Sequence, residues 1–172
     1  DQFINLFKQG HCSLKSRLTE MDIEKYILTK KPNEKGILLL YAAANNNPRL
    51  VQVLLKAGAD ASQLNNSTPP QKHAIQVAKS AGHWECVKAF AATQKDASGY
   101  FNYGSALLDA ANGNKLDVVE ALVRADASLT WGNVDTGRTA LHWAAYHGNT
   151  AMISVLLRAG AKSSLLDKST PP

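Results

Sequence analysis

The chain repeats itself with a period of about 34 residues, and this period restricts the fold more than any other feature of the sequence. Four segments, 38–59, 74–93, 106–127 and 140–161, each place a stretch of small residues before Gly or Asn and an apolar stretch after it. These Gly or Asn residues are separated by 36, 32 and 34 residues, and they are Asn46, Gly82, Asn114 and Gly148. Because Gly and Asn accept a left-handed backbone, each one predicts a tight turn that ends a short helix.

The stretches on both sides of each turn have the character of helices. The upstream stretch is built on paired alanines, which favour helix and allow close approach. The downstream stretch repeats apolar residues three and four positions apart, as in Val118, Val119 and Leu122. Asn47 and Pro48 are suited to the N-cap and the first position of a helix. Each unit is therefore predicted to be two antiparallel helices whose apolar stripe is buried only when units stack.

The fourth unit carries the most specific pattern. It reads TALHWAA at 139–145, then Gly148, then LLRAGA at 156–161. This pattern resembles the ankyrin repeat, whose hallmark is T-P-L-H-x-A-A, then G, then L-L-x-x-G-A. The resemblance covers about residues 36–172 and is weakest at 74–93. Some positions depart from the pattern: Leu40, Gln76 and Leu108 replace the histidine, Ile37 and His73 the threonine, and Gln94 and Asp126 the terminal glycine.

The resemblance implies an all-α ankyrin-repeat solenoid of helix-turn-helix units with projecting turn fingers and an amino-terminal helical cap. We place the cap, or a degenerate repeat, at 1–35, with a helix that Thr19 and Asp22 can cap and that runs to about Leu28. The repeats are placed at 36–69, 70–103 (divergent), 104–136 and 137–168. The motif STPP at 67–70 returns in phase at 169–172, so a further, truncated repeat is predicted there and the chain is expected to be a piece of a longer protein.

Composition and charge narrow the class of protein. Of 172 residues, 45% are hydrophobic and 19% charged, which is typical of a folded domain. The longest apolar run, 37–44, is too short to cross a bilayer, so we expect no membrane insertion. The net charge of +5 allows nucleic-acid binding as the weaker alternative, but the densest basic stretch, Lys30, Lys31 and Lys35, is interrupted and is expected to be solvated. With two cysteines and no CxxC, an intracellular, reducing compartment (cytoplasm or nucleus) fits best.

The histidines and cysteines do not form a convincing catalytic or metal site. His142 lies at the family's Thr-x-x-His position, where the resemblance implies that the imidazole, with Thr139, binds backbone near the turns and ties one repeat to the next. His147 is expected to face solvent, with no acidic residue nearby in sequence. Cys86 lies on an apolar stripe and is predicted to be buried, and the spacings of His and Cys show no paired ligands. We therefore expect no catalytic residue, no metal and no cofactor, and a structural role for the four turn residues.

Function then falls to the surface. The resemblance implies that a monomeric chain binds another protein through the inner helices and the fingertips. The candidate contact residues on the inner helices are Tyr41, Asn45, Gln76, Lys79, Asp109, Asn112, Trp143, Tyr146 and His147, and those on the fingers are Tyr100, Phe101, Tyr103 and Trp131. The finger aromatics have an alternative role, filling the junctions between repeats. An alternative function is recruitment for a larger multidomain protein, such as an enzyme or a bacterial effector secreted into a host cell.

Overall fold

A computed structural model describes residues 25–62, 72–93 and 102–163. Within these ranges one helical turn at 25–28 is followed by eight α-helices: α1 (Pro32–Ala44), α2 (Pro48–Lys56), α3 (Ala74–Ser80), α4 (Trp84–Thr93), α5 (Tyr103–Asn112), α6 (Leu116–Arg124), α7 (Ala140–Tyr146) and α8 (Thr150–Arg158). An isolated β-bridge pairs Gly132 with Thr139, and these ranges contain no β-strand. The all-α prediction is confirmed. The predictions for residues 1–24 and for Tyr100 and Phe101 lie outside the described residues.

A residue with left-handed backbone joins the two helices of every pair. The φ angles are 51° at Asn46, 72° at Gly82, 53° at Asn114 and 62° at Gly148. A second left-handed residue follows α2, α6 and α8, at Gly58, Asp126 and Gly160, and at Asp126 (φ 62°) an aspartate occupies the place that the repeat pattern gives to glycine. Short polar side chains tolerate this conformation better than branched ones, so the turn keeps its geometry without glycine.

Two of the outer helices, as we call the second helix of each pair, begin at side-chain caps: α2 and α8. Oδ1 of Asn47 accepts a hydrogen bond from the backbone N–H of Leu50 at 3.0 Å, and Pro48 occupies the first position of α2. Oδ1 of Asn149 accepts from the N–H of Met152 at 2.9 Å at the start of α8. Each cap satisfies an N–H group that the helix itself leaves unpaired.

The first inner helix is longer than the others. α1 has 13 residues, whereas α3 and α7 have seven each. It begins at Pro32, and its N-cap Lys31 donates its backbone N–H to the carboxylate of Glu34 at 3.3 Å. α1 therefore runs unbroken across the boundary predicted between residues 35 and 36, and the start of the first repeat stays a prediction.

Lys35 differs from the expectation of a solvated basic stretch. Its side chain is buried, and its ammonium group donates a hydrogen bond to the backbone oxygen of Ala57 at 2.9 Å. Ala57 is the C-cap of α2, where helix carbonyls lack intrahelical partners and the helix dipole favours a positive charge. The aliphatic stem of the lysine is thus buried while its charge stabilises a helix end.

The chain divides into two compact units, residues 1–93 and 94–172. In the first unit α1 packs against α3 and α2 against α4; in the second, α5 packs against α7 and α6 against α8. Within each unit the like helices of its two repeats are therefore stacked, and the apolar stripes form the core between them. Fully buried side chains include Leu54 and Phe90 in the first unit, and Leu122 and Leu156 in the second.

Candidate partner-binding surface

Three aromatic side chains of the fourth repeat, Trp143, Tyr146 and His147, form a cluster at the end of α7. They are three and four positions apart, which places them on one face of the helix. The ring centroids of Trp143 and Tyr146 are 5.7 Å apart in an edge-to-face arrangement, and those of Tyr146 and His147 are 5.3 Å apart. The ring of His147 stacks on Trp143 with centroids 6.3 Å apart. Tyr146 is 74% exposed, so the cluster offers a large aromatic surface to solvent.

Arg138 joins this aromatic cluster to the preceding loop. Its guanidinium carbon lies 5.5 Å from the centroid of the Trp143 ring, a distance at which cation and ring attract. Its backbone oxygen accepts a hydrogen bond from the N–H of Asn133 at 2.9 Å. Arg138 was not predicted as a contact residue from the sequence, although it directly precedes the Thr139 motif and lies five positions before Trp143.

The finger between the third and fourth repeats, residues 128–137, is an ordered turn. The N–H of Gly137 donates to the backbone oxygen of Asn133 at 2.8 Å, and the side-chain oxygen of Asn133 accepts from the N–H groups of Asp135 and Thr136, both at 3.0 Å. These bonds fix a tip on which Val134 is 89% exposed. Val134 was not predicted as a contact residue from the sequence, although its position between the turn-forming residues Asn133 and Asp135 was an available signal.

The two described finger aromatics, Trp131 and Tyr103, differ in exposure. Trp131 is 46% exposed, but its base packs against α5: a Cβ atom on Gly104 would lie 2.8 Å from Cβ of Trp131. Tyr103 is fully buried, so its prediction as a partner contact is wrong. The reason is that the side chain of Asn102 caps α5 by accepting from the N–H of Ser105 at 3.3 Å. The helix therefore begins at Tyr103, and this ring becomes part of the core.

The two histidines of the fourth repeat have different roles from those expected. Nδ1 of His142 accepts from the backbone N–H of Thr139 at 3.1 Å and lies 2.9 Å from its hydroxyl oxygen. These bonds stay within one repeat, because Nδ1 faces the residue that precedes its own helix. His147 instead reaches the third repeat, and its Nε2–H donates to the backbone oxygen of Asn112 at 2.7 Å. The expected link between repeats is thus made by His147 and not by His142.

The asparagine turns take part in the links between repeats. Nδ2 of Asn149 donates to the side-chain oxygen of Asn114 at 2.8 Å. In the first unit the thiol of Cys86 points at the side-chain oxygen of Asn46 with a sulfur–oxygen distance of 3.7 Å. An asparagine at the turn therefore supplies both the left-handed backbone and an acceptor for the next repeat, which glycine cannot do.

The remaining candidates on the inner helices are less prominent. Asn45 and Asn112 are exposed, while Tyr41, Gln76, Lys79 and Asp109 are half-buried. The side-chain oxygen of Gln76 accepts from the N–H of His73 at 3.0 Å, and Nδ2 of Asn45 donates to the backbone oxygen of Tyr41 at 2.9 Å. These polar side chains form hydrogen bonds within the protein. Among the candidate contact residues of the inner helices, the exposed aromatic side chains are therefore those of the fourth repeat.

Cys86 and His83 do not form a nucleophile and base. Burial, with a smaller contribution from the carboxylate of Glu85, raises the pKa of Cys86 from 9.0 to about 11, so the thiol stays protonated at neutral pH. Nδ1 of His83 donates to the backbone oxygen of Ala43 at 2.9 Å. Within 25–62, 72–93 and 102–163, no group of three or more His, Cys, Asp or Glu side chains is arranged to hold a metal ion.

Comparison with known proteins agrees with the helix pairs and their turns. The family model described as ankyrin repeats (3 copies) matches residues 39–130 and 94–167, well over half of the chain. The chain belongs to the ankyrin-repeat family. Ankyrin repeats are, in general, non-catalytic modules for protein–protein interaction. Among the described helices, none combines the length and the apolar character needed to cross a membrane.

One curated relative matches over a short stretch. The calmodulin-binding transcription activator CBT of Oryza sativa subsp. japonica is 58% identical over 36 residues, which is 21% of this chain and 4% of that protein. The chain thus corresponds to a small part of the relative's length. The matched stretch is about as long as one ankyrin repeat.

Proposed function

We propose that this ankyrin-repeat chain binds a partner protein through its fourth repeat, with Tyr146 as the central contact. The observation that carries this proposal is the exposure of Tyr146, 74%, in a cluster where its ring lies 5.7 Å from that of Trp143 and 5.3 Å from that of His147. Aromatic side chains that are already positioned lose little conformational freedom on binding, and such residues often dominate interface energies.

The neighbouring finger extends this surface. Arg138 contacts Trp143 and is hydrogen-bonded to Asn133 at the base of the finger, and Val134 is exposed at the tip. The finger and the aromatic cluster lie in the same compact unit and are joined by Arg138, so one partner can contact both. We define the fourth-repeat surface as Val134, Arg138, Trp143, Tyr146 and His147. Calmodulin binding is not carried over from the rice relative, because a match of one repeat supports the repeat and nothing beyond it.

A capture experiment with three immobilised proteins tests this proposal: the wild-type chain, Tyr146→Ala and Leu157→Ala. Leu157 is the matched control, because it is 47% exposed in the same repeat but lies on α8. Proteins bound from cell extract are quantified by mass spectrometry. We expect the affinity of Tyr146→Ala for its partner to fall about thirtyfold, equivalent to about 2 kcal/mol, so that the partner is no longer captured. The Leu157→Ala variant is expected to capture it as wild type does.

Circular dichroism and the thermal midpoint establish that both variants are folded. If folded Tyr146→Ala captures the same proteins in the same amounts as wild type, the fourth-repeat surface is not the binding site.

A further inference from the structure

We infer that the partner presents an acidic segment, in which a carboxylate pairs with Arg138 and a neighbouring apolar or aromatic side chain packs on Tyr146. This inference rests on the proposed function and specifies the chemistry of the partner.

The charges of the second unit are distributed unevenly. Residues 128–163 contain one carboxylate, Asp135, and three full positive charges, Arg138, Arg158 and Lys162. Of these three, Arg138 contacts the aromatic cluster, whereas Nε of Arg158 donates to the backbone oxygen of Ser154 on α8. Residues 102–127 instead carry more acidic than basic side chains, namely Asp109, Asp117, Glu120 and Asp126 against Lys115 and Arg124. This difference in net charge favours binding of an acidic segment at the fourth repeat over the third.

The position of Arg138 suits a carboxylate. A guanidinium group has five N–H donors in its plane, and a carboxylate accepts two of them at once. One group can serve several acceptors, so such a pair does not require Arg138 to give up the contacts that it makes within the protein. The contact with the Trp143 ring holds the guanidinium in place, so that less side-chain freedom is lost when the pair forms.

The apolar part of the segment has a surface beside this charge. Trp143 is a common neighbour of Arg138 and Tyr146, with its ring 5.5 Å from the guanidinium carbon and 5.7 Å from the tyrosine ring. Because both groups neighbour the same ring, a short segment whose carboxylate pairs with Arg138 can reach the exposed ring of Tyr146 with a nearby side chain. Rings in this arrangement accept aliphatic and aromatic groups alike.

A nucleic acid is the competing macromolecule, since phosphates also pair with arginine and bases stack on aromatic rings. Strong binding to nucleic acid depends on several phosphate contacts. The fourth-repeat surface offers one guanidinium group, that of Arg138. The carboxylate of Asp135 lies in the adjoining finger and would repel phosphates. These charges favour a peptide.

The test selects peptides from a phage-displayed library of random dodecapeptides on the immobilised full chain, in about 0.15 M NaCl. Parallel selections use Tyr146→Ala, Arg138→Gln and Arg138→Glu. Arg158→Gln is the matched control, because it removes the same charge from α8. The enriched sequences are counted against the input library, and one enriched peptide is synthesised and titrated against every variant. Binding of fluorescent single-stranded oligothymidylate is measured alongside.

We expect the wild-type pool to be enriched in Asp and Glu beside an aromatic or aliphatic residue. The synthetic peptide is expected to bind Arg138→Gln about five- to tenfold more weakly, and Arg158→Gln within about twofold of wild type. Arg138→Glu is expected to enrich Lys and Arg in place of the acids.

Each contrary result has a distinct meaning. Peptides that need Tyr146 but show no acidic bias, or that bind Arg138→Gln as tightly as wild type, overturn this inference and leave the proposed function standing. A wild-type pool identical to the Tyr146→Ala pool overturns the proposed function as well. Tyr146-dependent binding of oligothymidylate that exceeds peptide binding assigns the surface to nucleic acid and overturns both.

Discussion

Nε2 of His147 lies 2.7 Å from the backbone oxygen of Asn112, and this hydrogen bond joins the fourth repeat to the inner helix of the third. Asn149 adds a second link, from its Nδ2 to the side-chain oxygen of Asn114 at 2.8 Å. Both donors flank Gly148, so the turn of the fourth repeat adds two hydrogen bonds to the helix packing that joins the two repeats of this unit.

Asn149 has two separable functions, because its Oδ1 caps α8 and its Nδ2 bonds to Asn114. We expect Asn149→Ala to lower the free energy of unfolding by about 1–2 kcal/mol, through loss of both bonds. Asn149→Asp keeps the cap acceptor and loses only the donor, so its loss is expected to be smaller. Urea titration followed by circular dichroism measures both, and equal losses for the two variants would show that the cap contributes nothing.

The two asparagine turns offer a matched comparison. Asn46→Gly and Asn114→Gly both remove the side chain from a residue with left-handed backbone. The hydrogen bond that is lost differs. The side-chain oxygen of Asn114 accepts from the amide of Asn149 at 2.8 Å, whereas that of Asn46 accepts from the thiol of Cys86 at 3.7 Å. Because the thiol is a weak donor, we expect Asn114→Gly to be the less stable variant by about 0.5–1 kcal/mol. Thermal denaturation measures the difference, and the reverse order would contradict the proposed role of the Asn114 side chain.

Gly104 is expected to be intolerant of a side chain. A Cβ atom there would lie 2.8 Å from Cβ of Trp131 and 3.2 Å from Cβ of Ser128, so the base of the finger must move. We expect Gly104→Ala to cost about 1–3 kcal/mol and to shift the fluorescence of Trp131. Gly113→Ala is the control, since its nearest contact is 3.4 Å, and it is expected to be close to neutral. Unchanged fluorescence and stability in Gly104→Ala would contradict this packing.

The buried thiol of Cys86 predicts a loss of stability in alkali. Its pKa is about 11 in the folded chain against an ordinary value of 9.0, so above pH 9.0 the unfolded state releases a proton that the folded state retains. The free energy of unfolding is therefore expected to fall between about pH 9 and pH 11, by about 2–3 kcal/mol, and to keep its full value below that window. Urea midpoints of wild type and Cys86→Ala, compared at each pH, isolate this slope. A Cys86→Ala chain that loses stability with the same slope would contradict the assignment.

The periodic part of the structure could be predicted because local residue preferences and the fold agree. Three sequence patterns indicate it: the turn residues, the paired alanines and the apolar stripe. Each pattern determines a backbone conformation or a buried face, and each is set by residues that are close in sequence. The family model confirms the ankyrin repeats that these patterns indicate.

The surface could be predicted less well, because exposure depends on which helix end a residue occupies. Tyr103 was assigned to a finger, but the cap at Asn102 moves the start of α5 forward and buries the ring. Lys35 was assigned to solvent, but the C-cap of α2 lies within reach of its long side chain. Arg138 and Val134 were missed, because one depends on a contact across five residues and the other on a turn that shows itself only in three dimensions.

The asparagine and glycine turns alternate along the chain, as Asn46, Gly82, Asn114 and Gly148, and within each unit the donor reaches back from the glycine-containing repeat to the asparagine turn. The repeats are therefore not interchangeable. Deleting one internal repeat brings two turns of the same kind together, whereas deleting or duplicating an adjacent pair preserves every donor with its acceptor. The pair of repeats, and not the single repeat, is the unit by which an array of this kind can grow or shrink while keeping its hydrogen bonds to the asparagine turns.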